Sequence, residues 1–126
     1  MAGAPILIVD DNAANLKLAR VLLAADGQDI RTASSAEDAL TVLESFHPRL
    51  ILMDLQLPGI DGLDLVRRLK ADPARRDIML IALTAYAMKA DEAKALAAGC
   101  DAYLPKPIDP DQFPLLVARH LRRGSP

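Results

Sequence analysis

Leu50-Ile51-Leu52-Met53-Asp54 is the stretch that decides the architecture. Apolar residues in an unbroken run, with no polar alternation, mark a strand buried on both faces. Such strands belong to parallel sheets covered by helices on each side. Pro5-Ile6-Leu7-Ile8-Val9 and residues 78–83 have the same character. Residues 28–33 and 101–104 are weaker and more polar, which assigns them to the sheet edges. Between the runs, Leu18, Val21, Leu22 and Ala25 recur at i, i+3, i+4 and i+7, as do Phe113, Leu116, Val117, His120 and Leu121. Ala36, Ala39, Leu40 and Leu43 form another amphipathic stripe, and Leu65, Val66 and Leu69 a fourth. Residues 86–98 are alanine-rich with a shallow stripe. Five strands, each followed by a helix, predict an α/β doubly wound parallel sheet.

Punctuation agrees with this. Ser34-Ser35 with Asp38 resembles an N-cap before the second helix. Gly27 and Gly99 stand where helices stop. Pro58-Gly59 signals a turn after the third strand, and Pro110 suits a first helical turn. The 126 residues, 52% hydrophobic, suffice for one domain over 1–126 with its core at about 5–122. Net charge is −2, so no basic field draws the chain to nucleic acid or an anionic membrane. Aromatics at 3% leave few platforms for stacking bases. The single cysteine, Cys100, excludes an internal disulfide, which suits a cytoplasmic location. No signal peptide or membrane-spanning run is present.

The ligand site of an open α/β sheet lies beyond the carboxyl ends of its strands. Asp10, Asp11, Asp54, Thr84 and Lys106 all fall there, on four strands. Asp10-Asp11-Asn12 could also simply cap the first helix. Crowded carboxylates repel and demand a cation that one lysine cannot replace. Mg²⁺ is hard, prefers oxygen ligands and keeps several waters. Asp11, Asp54 and a backbone carbonyl just after Asp54 can serve it. An aspartate oxygen can then act as a nucleophile toward phosphorus. Mg²⁺, the Lys106 ammonium and the Thr84 hydroxyl would neutralise the phosphoryl oxygens.

Four segments, in this order and spacing, resemble the receiver domain of bacterial two-component response regulators. They are Val9-Asp10-Asp11-Asn12; the run from Met53-Asp54 through Pro58-Gly59 to Asp61-Gly62; Leu83-Thr84-Ala85; and Tyr103-Leu104-Pro105-Lys106-Pro107. The resemblance implies a flavodoxin-like sheet in order 2-1-3-4-5 and reversible aspartyl phosphorylation. It implies a phosphoacceptor switch rather than an enzyme with turnover. It makes Asp54 the phosphoacceptor and puts Asp11 directly on Mg²⁺, Asp10 through water and Gln56 through its backbone carbonyl. Thr84 and Lys106 hold the phosphoryl group, Thr84 and Tyr103 form the switch, and Pro107 follows a cis peptide bond. Gln56 and Tyr86 occupy positions that tune dephosphorylation. The implied donor is a sensor histidine kinase or histidine phosphotransfer protein. A downstream protein target is expected on the face of the fourth helix, fifth strand and fifth helix.

The run at 83–88 resembles both hybrid-kinase receivers and stand-alone DivK-type receivers, and we take the latter. An aspartate-nucleophile phosphohydrolase of the haloacid dehalogenase type is the enzyme alternative. Its signature is Asp-x-Asp, whereas this segment reads Asp10-Asp11-Asn12. A degenerate receiver that only binds protein is opposed by the intact Asp, Thr and Lys set. A nucleotide-binding flavodoxin-like protein lacks its glycine loop here. His47 and His120 are expected to be structural or surface residues, Cys100 a buried filler, and Arg67, Arg68, Arg75 and Arg76 a solvated basic cluster.

Overall fold

The computed structural model describes residues 4–25, 27–54, 62–84, 89–105 and 109–123. Strands and helices alternate: β1 (Pro5–Val9), α1 (Ala13–Ala25), β2 (Asp29–Ala33), α2 (Ala36–Leu43), β3 (Leu50–Asp54), α3 (Gly62–Ala71), β4 (Met79–Thr84), α4 (Lys89–Ala98), β5 (Ala102–Pro105) and α5 (Phe113–Arg123). All strand pairings are parallel, in the order β2-β1-β3-β4-β5. The flavodoxin-like order expected from the sequence is therefore present.

The apolar runs divide their side chains between two cores, which is why they show no alternation. Leu7, Val9, Ile51, Met53, Leu80 and Ala82 face one cluster with residues of α2, α3 and α4. Ile6, Ile8, Leu50, Leu52, Ile81 and Leu83 face the other, with α1 and α5. The three inner strands are thus apolar on both sides, whereas β2 alternates exposed and part-buried residues until Ala33. Each fully buried Leu or Ile adds about 1.5–3 kcal/mol of transfer free energy.

Local signals set the boundaries. The Ser35 hydroxyl accepts the Asp38 amide at 3.0 Å, while Asp38 Oδ2 accepts the Ser34 amide at 3.1 Å. This reciprocal cap fixes the start of α2. Gly27 and Gly99 have φ of 87° and 121°, a region that side chains disfavour. A Cβ on Gly99 would lie 2.9 Å from Lys70 Cγ. The helix α5 begins later than Pro110 suggests. Asp109 Oδ1 accepts the Asp111 and Gln112 amides, and its carbonyl accepts Phe113 N at 2.9 Å. Pro110 therefore sits in a capped turn leading into the helix.

Far along the sequence from each other, Lys70 and Asp101 tie the opposite end of the sheet together. Lys70 Nζ donates to Asp101 Oδ2 at 2.9 Å and to the carbonyls of Ile78 and Arg76 at 3.1 and 3.3 Å. Asp101 Oδ2 also accepts the Leu80 amide at 2.8 Å. One ion pair thus joins the end of α3, the start of β4 and the residue before β5.

Candidate functional site

Adjacent parallel strands deliver their last residues to one place. Val9 pairs with Met53, so Asp10 and Asp54 leave the sheet side by side. Asp54 pairs with Leu83, which brings the end of β4 at Thr84 next to it, and Thr84 pairs with Pro105 at the end of β5. Carboxylate oxygens of Asp10, Asp11 and Asp54 lie within 4.8 Å of one another. Asp10 and Asp54 are only 1% and 4% exposed, and they are the buried polar side chains among the described residues. Asp11 is exposed.

The sequence left open whether Asp10-Asp11-Asn12 caps a helix or holds a ligand. The structure divides the work. Asn12 is the cap: its Oδ1 accepts Asn15 N at 3.1 Å and its carbonyl accepts Leu16 N at 3.1 Å. Asp10 Oδ1 accepts the Asn12 amide at 2.9 Å, and the Asp10 amide donates to the Ala33 carbonyl. Those bonds lock the turn and set the Asp10 and Asp11 carboxylates beside Asp54.

This donor set fits a hard divalent cation. It is all oxygen, it is carboxylate-rich, and one member is open to water. Two buried carboxylates this close call for positive charge nearby. The Thr84 backbone is where it was expected; its side chain, and all of Gln56, Tyr86, Lys106 and Pro107, lie outside the described residues. Tyr103 is half-buried and packs against the cluster of Ala82, Ala95 and their neighbours.

The remaining polar residues take structural places. His47 Nε2 lies 3.8 Å from Asp77, both exposed at the far end of the sheet. Arg67 pairs with Asp64 at 3.0 Å, and Arg75 pairs with Asp72 at 3.6 Å and donates to the Leu43 carbonyl. Cys100 is buried, and its thiol is pushed up to about 11, first by burial and then by the Asp101 charge, with Lys70 pulling the other way.

The family described as the response regulator receiver domain matches residues 6–118. The chain belongs to the response regulator receiver family. The polar-differentiation response regulator DivK of Brucella ovis is 48% identical over 109 residues, which take in 86% of this receiver and 88% of DivK. A CheY-like receiver domain protein from Methanospirillum hungatei superposes with a TM-score of 0.88 at 29% identity, covering 98% and 97% of the two chains. The receiver domain of a signal transduction histidine kinase from Syntrophus aciditrophicus gives 0.83 at 29% identity, covering 97% and 89%. The chain is thus a two-component receiver, a signalling switch of the phosphoacceptor kind, and the phosphohydrolase alternative is set aside. No helix among its described residues is long and apolar enough to cross a membrane.

Two features of this receiver escaped the sequence reading. Among the described alanines of α4, Ala95 is fully buried, Ala93 and Ala97 are exposed and Ala98 is half-buried. Leu96 stands 46% exposed on the same helix. The shallow stripe hid both, because alanine at five of the helix's ten positions erases the contrast that marks a face.

Proposed function

We propose that Asp54 accepts a phosphoryl group from the phosphohistidine of a sensor histidine kinase or histidine phosphotransfer protein. The meeting of Asp10, Asp11 and Asp54 at one sheet edge, within 4.8 Å, is the observation that carries this reading. An Asp54 carboxylate oxygen bonds to phosphorus as the phosphorus–nitrogen bond breaks and the imidazole leaves with the electron pair. The product is an acyl phosphate, and its hydrolysis returns the carboxylate and inorganic phosphate. Asp11, Asp54, the Gln56 carbonyl and, through water, Asp10 would hold Mg²⁺, which would supply positive charge to the carboxylates and phosphoryl oxygens. Thr84 and Lys106 hold the remaining phosphoryl oxygens.

Output leaves through the face of α4, β5 and α5. Thr84 ends β4 and pairs with Pro105, two residues beyond Tyr103. A shift of Thr84 toward the phosphoryl group therefore acts on the strand that carries the half-buried Tyr103 ring. Leu96 on α4 and Leu115 on α5, 46% and 63% exposed, are apolar contacts that these two helices offer a protein partner. Information passes only through different affinities for the two states. The DivK match favours a single-domain cytoplasmic regulator with residues 5–122 as one unit. A receiver cut from a hybrid kinase is the second reading, favoured by the likeness to the Syntrophus kinase receiver.

Phosphotransfer profiling tests the reading. Autophosphorylated candidate kinases and phosphotransfer proteins are mixed with the receiver and Mg²⁺. One donor should pass its label far faster than the rest. If no donor labels the chain at any time point, the reading fails.

A further inference from the structure

We propose that the open edge of β2 is a second protein-binding site, which takes an extended segment with two consecutive acidic side chains as an added strand. In the ladder with β1, the Asp29 amide donates to the Ala4 carbonyl at 3.0 Å, and the Ala33 carbonyl accepts the Asp10 amide at 3.1 Å. Asp29, Arg31 and Ala33 therefore turn their backbone groups toward β1. By alternation the amides and carbonyls of Ile30 and Thr32 face away from it, and no strand among the described residues covers them, because β2 ends the sheet. A groove of about 470 Å³ runs along this edge, lined by Arg20, Asp29, Ile30, Arg31, Thr32 and Phe46 among others.

Charge selects the occupant: two arginines line the groove against one carboxylate, Asp29, at the first residue of β2. Arg20 comes from α1 on one side of the sheet. Arg31 belongs to the other side, where its guanidinium lies 5.3 Å from the centre of the Phe46 ring. Charged side chains on an edge strand blunt indiscriminate pairing with other chains. Arg31 is laid back on an aromatic ring, which orients its donors and leaves the Ile30 and Thr32 groups open to the groove. Neighbouring side chains of an incoming strand point to opposite faces. Two adjacent carboxylates would therefore meet Arg20 and Arg31, one on each side. The four backbone groups supply hydrogen bonds, and the arginine pair supplies selectivity.

A second copy of this chain is a poor occupant. Antiparallel pairing centred on Arg31 makes every edge hydrogen bond but sets Arg31 against its own copy, and like charges directly opposite are destabilising. Centred on Ile30, it needs the Gln28 amide, which already donates to the Leu23 carbonyl at 3.2 Å. Centred on Thr32, it needs the Ser34 amide, which already donates to Asp38 Oδ2. The site lies at the sheet edge opposite β5, so its partner leaves the output face open.

The experiment uses the full chain and an acetylated, amidated peptide, Thr-Val-Thr-Glu-Glu-Val-Thr-Val, with a lysine version in which both Glu are Lys. Amide hydrogen exchange and heteronuclear NMR follow each titration to millimolar peptide. The Glu peptide should slow exchange at Ile30 and Thr32, and the Lys peptide should not. Arg31→Glu, at an exposed position outside both cores, should weaken the Glu peptide at least about fivefold and bind the Lys peptide instead. Three outcomes overturn the proposal: no protection at Ile30 and Thr32 with either peptide, equal binding of both peptides, or protection at those amides that grows with protein concentration alone and marks self-pairing.

Discussion

Asp11→Asn should make the protein more stable without metal and less stable with it. Asp11 is exposed and isosteric with Asn, so the change removes charge and little packing. Its carboxylate lies within 4.8 Å of those of Asp10 and Asp54. With a water-like dielectric each repulsion is about 0.9 kcal/mol at that distance. Screening, with a Debye length of about 8 Å at roughly 0.15 M salt, brings the two together to about 1 kcal/mol. In chelator the variant should therefore melt about 3–5 °C higher than wild type. Mg²⁺ at a hundredfold excess over its dissociation constant adds about 2.7 kcal/mol to the wild type by mass action. The variant, short of one carboxylate, should gain little. Thermal melts in chelator and across a Mg²⁺ series read both arms. The signature is a crossing of the two stability curves. A variant that is less stable in both conditions, or that responds to Mg²⁺ like wild type, would refute the proposed ligand set.

Other expectations follow from the same structure. Cys100 is raised from 9.0 to about 11, so its contribution is fully present below pH 9 and is lost as pH rises toward 11. Wild type should lose more stability than Cys100→Ala across that window in urea titrations, and equal slopes would contradict the burial of the thiol. Lys70→Met removes a charge-assisted bond and two further donations, and should cost about 2–3 kcal/mol in chemical denaturation with the Mg²⁺ response unchanged. A loss below about 0.5 kcal/mol would show that the node contributes nothing beyond a surface ion pair. Lys106→Ala should fold normally but lose the beryllofluoride-induced chemical-shift changes around Tyr103, and intact changes there would remove Lys106 from the switch.

The fold was legible where burial is two-sided. β1 and β3 have the bounds that the apolar runs of residues 5–9 and 50–54 suggest, because both faces of those strands meet helices. β4 and β5 begin one residue later than the segments beginning at 78 and 101: the Ile78 amide is taken by the Arg75 carbonyl in the preceding turn, and Asp101 is polar. The start of α5 was not legible, because proline marks a helical turn without saying whether a preceding Asx turn delays the helix. In the site, the strand-end aspartates were visible from topology alone. The division of labour within Asp10-Asp11-Asn12 was not, since three adjacent polar residues all have capping chemistry and only the backbone path chooses among them. Nor could the link between Lys70 and Asp101 be seen, because residues 31 apart meet only through the register of β4 with β5. The edge hydrogen-bonding pattern of β2 likewise depends on which residues face β1, and an alternating sequence does not say that.

The central claim is that Asp54 is the single phosphoacceptor, and intact mass tests it most directly. Wild-type protein and Asp54→Asn are incubated with acetyl phosphate and Mg²⁺, and parallel samples contain chelator. The account predicts one phosphoryl increment on the wild type in Mg²⁺, none in chelator, and none on Asp54→Asn in either condition. An undiminished increment on Asp54→Asn would contradict it, and so would equal labelling of the wild type without the metal.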